Sequence, residues 1–238
     1  MQIKSWHYAA LAALALAAAC SDSGTAPEAS SRVRPASASS LSAPAFDYSS
    51  VGHFGAQSAD FALTSNGGTF NVNGLFTVNF PANSVCDPSV STYGADQWDA
   101  PCATLPDGQT IQLHATAVLT PNGIRVDFTP HLRFAPSANV TISTDVFAPM
   151  LRLNSGYFAQ HPEALNSLAL DYAASLGSNP VEDFLSDPSL ITHVDLSTGR
   201  VWRRVKHFSG YSQTSGQPCD PSPDNPDCVE VDGRDGLQ

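Results

Sequence analysis

The sequence predicts an all-β fold, an antiparallel β-sandwich with one inserted amphipathic helix. Three observations predict it. Short runs alternate apolar and polar residues, Gly, Pro and Asn turn signals separate those runs at close spacing, and one segment alone switches to helical spacing. The chain has 238 residues, of which 42% are hydrophobic, with 18 prolines and 16 glycines. That composition suits one medium β domain with irregular flanks, because a second core would be hard to fill.

The N-terminus reads as an export signal. Lys4 and His7 precede an apolar run from Ala9 to Ala19, which is the length of a signal-peptide core and too short to span a bilayer. The run stops at Cys20, and LAAAC resembles the bacterial lipoprotein signal, in which the cysteine is diacylated and becomes the first mature residue. Ala17 stands where that signal prefers Leu, and Ala17-Ala18-Ala19 also suits ordinary signal peptidase, so export without lipid is the alternative. From Ser21 to Ala45, 17 of 25 residues are Ser, Ala or Pro, which predicts a disordered tether reaching roughly 25 to 30 Å. The expected organisation is a signal peptide over 1–19, the lipidated Cys20 and its tether over 20–58, the sandwich over 59–213 and an acidic tail over 214–238.

Gly67-Gly68 opens the regular part. Phe76, Val78 and Phe80 then alternate with Thr77 and Asn79 until Pro81, which cannot continue a ladder. A loop from Cys86 to Cys102 carries Tyr93, Trp98 and Asp99, read as aromatics packing on the sheet, with a sugar-binding lip as the alternative. Ile111 to Ala117 and Ile124 to Phe128 alternate on either side of Pro121-Asn122-Gly123, which predicts a hairpin. Leu132 with Phe134 and Val140 with Ile142 read as further short strands. After His161, Pro162 and Glu163 suit a first helical turn, and Leu165, Leu168, Tyr172 and Leu176 follow at helical spacing until Gly177 and Pro180. Ile191 to Leu196 returns to strand character and turns at Ser197-Thr198-Gly199 into one long strand, Arg200 to Tyr211, with Trp202 and Phe208 on one face and Val205, His207 and Ser209 on the other. From Ser212 to Gln238 the chain carries Asp220, Asp224, Asp227, Glu230, Asp232 and Asp235 against Arg234 alone, a solvated tail.

Cysteine count and charge narrow the function classes. With Cys20 assigned to lipid, Cys86, Cys102, Cys219 and Cys228 form an even set with three possible connectivities, of which the sequence-local one, Cys86–Cys102 and Cys219–Cys228, is the expectation. Zinc is the rival reading, but no CxxC or paired-His spacing accompanies these cysteines. The loop from Cys219 to Cys228 holds three aspartates, yet it lacks the Gly turn and bidentate Glu of a calcium loop. Neither metal nor cofactor is expected. A net charge of −11 argues against nucleic acid as a partner and against electrostatic docking on anionic lipid, so membrane contact is expected through lipid on Cys20.

Three segments in order resemble the ZU-type β-sandwich domain of ankyrins, netrin receptors and zonula-occludens proteins, which also occurs in exported bacterial proteins. Gly67 to Val85 is similar to its opening strand and proline-led turn, Pro121 to Val140 to its middle segment, and HFSGY at 207–211 to its closing strand. The resemblance covers residues 60 to 213, with the Cys86–Cys102 loop and the segment after His161 as insertions. In some relatives, including death-domain scaffolds, an HFS triplet is a self-cleavage site. Carried over, Ser209 would attack the Phe208 carbonyl with His207 as base. In a regular strand His207 and Ser209 share a face about 6.6 Å apart, so that chemistry needs a bend. The expected function is therefore a lipid-anchored lipoprotein of the bacterial cell envelope, in the outer membrane or facing the periplasm, with a non-catalytic binding or structural role toward a protein or glycan ligand. The alternative is a self-cleaving domain.

Overall fold

The fold comes from a computed structural model, which describes residues 55–120, 123–181, 183–214 and 229–232. Eleven strands and two short helices occur among them. The chain begins with β1 (Gly55–Thr64), β2 (Gly68–Val72) and β3 (Phe76–Phe80), then forms β4 (Thr110–Thr120), β5 (Gly123–Arg133) and β6 (Thr141–Thr144). Helices α1 (Ala148–Leu153) and α2 (Ser155–Gln160) precede β7 (Leu170–Ala173), β8 (Thr192–Asp195), β9 (Arg200–Arg204), β10 (His207–Thr214) and β11 (Val229–Asp232). A five-stranded sheet has the order β1-β4-β5-β10-β7, and a six-stranded sheet has the order β11-β8-β9-β6-β3-β2. All pairings are antiparallel except β11 with β8, which is parallel. The molecule is thus an all-β sandwich.

Alternation explains which face each strand buries. In β3, Phe76, Val78 and Phe80 are buried while Thr77 and Asn79 are half-buried. In β4 and β5, Leu113, Ala115, Ala117, Val126 and Phe128 enter the same core. Burying each Val, Leu or Phe among them is worth roughly 1.5 to 3 kcal/mol, so the inward row is what fixes the register. The β4–β5 and β8–β9 hairpins form where the turn residues place them, with Thr120 opposite Gly123 and Asp195 opposite Arg200.

Several expectations need correction. The helix expected after His161 is absent: residues Pro162–Leu168 form a 3-10 helix and Leu170–Ala173 is strand β7. Leu165 and Leu168, three apart, fit a 3-10 turn as well as an α-helix. The backbone beyond them finds better partners in β10, in the Thr192 hydroxyl and in the Gln213 amide, which donates to the Leu168 carbonyl. The helices that do form lie before His161 and bury Leu151 and Phe158. The single strand expected from Arg200 to Tyr211 is two strands in different sheets, with the chain crossing at Val205-Lys206. Trp202 therefore does not share a face with Phe208. Strand β1 includes Gly55 to Ser58 of the expected tether, and Val229–Asp232 of the expected solvated tail forms strand β11, at the margin of its sheet among the described residues. Cys20, Cys219, Cys228 and the aspartates between the last two lie outside the described residues.

Candidate functional site

The His207-Phe208-Ser209 triplet opens β10, just after the crossing. His207 pairs with Arg133 and Phe208 with Leu132, but the next pair is Gly210 with Asp127, so the register breaks across Ser209. The cause is legible in β5: Pro130 has no N–H to offer the ladder. On the other side Gly210 lets β7 approach, since a Cβ there would lie 2.8 Å from the Ala173 carbonyl oxygen. With the shift, Phe208 and Tyr211, three apart, both belong to the core, which strict alternation would forbid.

Phe208 is fully buried. Its ring stacks on Phe128 at 4.0 Å and meets Phe134 and Phe80 edge-on at 4.9 and 5.3 Å. His207 is buried beneath the disulfide loop: Trp98 stacks on it at 3.7 Å, and Tyr172 meets it edge-on at 4.8 Å. The Tyr93 hydroxyl lies 3.2 Å from His207 Nδ1 and donates to the Phe208 carbonyl at 3.1 Å. Both bonds form together when Nδ1 carries the proton. The Tyr211 hydroxyl donates to the His207 carbonyl at 2.7 Å.

The loop that supplies this cover is tied down three ways. Cys86 and Cys102 are joined in a disulfide with a Cα–Cα distance of 5.7 Å. The Arg133 guanidinium donates to the Gln97 and Ala100 carbonyls, and Lys206 pairs with Asp99 of the loop and with Asp187. The loop aromatics thus pack on the sheet, as expected, and the disulfide removes these two cysteines from any zinc site. Among the described residues no group of three or more His, Cys, Asp or Glu is placed to hold a metal ion.

Electrostatics follow from burial. Desolvation, with the positive charges of Arg203, His131 and Lys206, lowers the His207 pKa to about 3. Burial raises Tyr93 to about 12, against an opposing contribution from the nearby Ser209 hydroxyl. Burial likewise raises Asp127, opposed by His131. The Ser209 hydroxyl and one carboxylate oxygen of Asp127 are buried without a hydrogen bond of good geometry. The cluster thus pairs a serine hydroxyl and a hydrogen-bonded carbonyl with a neutral imidazole of very low basicity, whereas a general base works best with a pKa near the operating pH.

Sequence reasoning missed Asp127, His131 and Tyr172 as members of this cluster; the break in β5 is the one local signal, through Pro130. No protein-family model matches this chain, and comparison with curated proteins and with solved structures finds no match either.

Proposed function

We propose that this chain is a lipid-anchored lipoprotein of the bacterial cell envelope, a ZU-like sandwich whose role is binding or scaffolding without turnover. The anchor rests on Cys20 and the apolar run before it. The observation that carries the non-catalytic half is the packing of His207-Phe208-Ser209. Phe208 fills the core among three phenylalanine rings, and His207 is a buried imidazole clamped by Trp98 and bonded to Tyr93. With a pKa lowered to about 3, it draws a serine proton weakly. Palmitate labelling of expressing cells tests the anchor. Label is expected in the wild type and absent from Cys20→Ala, and a Cys20→Ala protein that stays membrane-bound refutes it.

Self-cleavage is the second reading, favoured by the register break at Ser209 and by the Tyr93 hydroxyl on the carbonyl that would be attacked. Ser209 Oγ would add to the Phe208 carbonyl carbon, the C–N bond would break with the proton going to the Ser209 amine, and water would then split the ester. Hydrolysis would leave a Phe208 carboxylate and a restored serine hydroxyl. The released piece would run from Ser209 to Gln238, taking Cys219 and Cys228 with it. Intact mass under denaturing conditions separates the readings: one undivided species after prolonged incubation is expected, and loss of that C-terminal piece, abolished by Ser209→Ala, overturns the non-catalytic reading.

A further inference from the structure

We infer that the outer face of the six-stranded sheet is a binding groove for a neutral oligosaccharide; this rests on the binding role proposed above and names its ligand class. The groove holds about 600 Å3, within the range of small-molecule sites. Its shape follows from register. Thr77, Ser143 and Trp202 lie in one row across β3, β6 and β9, and Asn79 sits opposite Thr141 in the next. The central strand thus contributes the smallest side chains, and the flanking strands contribute larger ones. The result is a trough with a hydroxyl floor, where Ser143 is only 3% exposed although it faces away from the core.

Three features fit a sugar chain. Trp202 borders the groove with its ring fixed: it stacks on His193 at 4.1 Å and 8°, and its indole N–H donates to Asp232 at 2.9 Å. A held indole is a platform for the apolar face of a pyranose ring. The remaining lining is hydroxyl and amide. Thr69 donates to the Asn79 carbonyl oxygen at 3.0 Å, which leaves the Asn79 amide nitrogen without a hydrogen bond among the described residues, and Arg200 donates to Ser143 at 3.0 Å. Finally, only Arg200 and Asp145 of the lining carry charge, and they cancel. In a chain of net charge −11 a neutral trough selects against acidic and basic ligands alike. Other charged residues of the same face, Arg204 opposite Thr141 and Asp195 opposite Arg200, stand outside the trough lining, so the neutrality belongs to the trough and not to the whole face.

The test is titration calorimetry of the full chain in detergent with maltohexaose, cellohexaose, mannohexaose, laminarihexaose and the acidic hexamer of galacturonate. Saturable binding of at least one neutral hexamer is expected, with affinity lowered at least about tenfold by Trp202→Ala and by Asn79→Ala. His114→Ala, on the other sheet, should leave it unchanged. Asn79 is half-buried and its side chain bonds only Thr69 among the described residues, so its variant keeps the test valid should the tryptophan variant misfold. Binding of none of the neutral hexamers, preference for the acidic one, or undiminished affinity in both groove variants overturns the inference. The intact mass of the protein is untouched by any of these results, so failure of the groove is distinguishable from failure of the non-catalytic reading on which it rests.

Discussion

A buried histidine that stays neutral makes folding stability fall with pH, and His207 is placed to show it. Its folded pKa, lowered to about 3, lies below the unfolded value near 6.5, so the unfolded chain takes up the extra proton. Stability from this group is complete above pH ~6.5 and is lost as pH falls toward 3. At pH 5 the loss comes to about 2 kcal/mol, and each further unit adds about 1.4 kcal/mol until pH ~3. Other groups titrate in this range too. Asp127, raised by burial, works in the opposite direction, and His131, Arg203 and Lys206 are the positive groups that face the imidazole. Comparison with His207→Gln isolates the contribution, because those groups remain in both proteins. Urea unfolding at pH 7.5 and pH 5.0 is the assay: the wild type should lose about 2 kcal/mol more than the variant across that interval. Equal losses would refute the claim that the loop keeps His207 uncharged.

Two further perturbations test what surrounds it. Arg203 is fully buried, gives both oxygens of Asp183 a hydrogen bond at 2.7 and 2.8 Å, and donates to the Leu170 carbonyl. Arg203→Leu strands the carboxylate and should cost about 3 to 5 kcal/mol in urea unfolding, most of it recovered when Asp183→Leu is added. Replacing both Cys86 and Cys102 by Ser opens a loop whose ends are 16 residues apart, at a cost of about 3 kcal/mol in the same measurement. The Trp98 cover should loosen with it, so the pH dependence assigned to His207 should flatten in the cysteine-free variant.

Local features of the fold were readable because their causes are local. The turn before Ile124 and the alternation of Phe76, Val78 and Phe80 each need only a few neighbouring residues to specify them. The Cys86–Cys102 bond was readable for the same reason. What escaped depends on distant partners. From Arg200 onward Val201 and Val205 keep a period of two, but Val205 and Phe208 are three apart and both buried, an odd spacing that marks the change of sheet at Lys206 only once the partners on each side are known. Strand β7 hid within leucine spacing that a helix also satisfies, and tertiary pairing with β10 decided the matter. The aromatic cover on His207 joins residues 114 positions apart, a relation no window of sequence contains. The burial of Arg203 likewise depends on Asp183, 20 residues away, which supplies its counter-ion.

The crossing at Val205-Lys206 has a mechanical consequence. Strand β9 lies between β8 and β6 in one sheet, and β10 lies between β5 and β7 in the other, so one short stretch of backbone is interior to both. Neither sheet can be peeled away while the other stays closed. Only the margins, β1 and β7 on one side and β2 and β11 on the other, are free to fray at small cost, whereas the amides of β9 and β10 reach solvent when the whole domain opens. A domain whose two sheets cannot open separately offers proteases few partly opened states short of global unfolding.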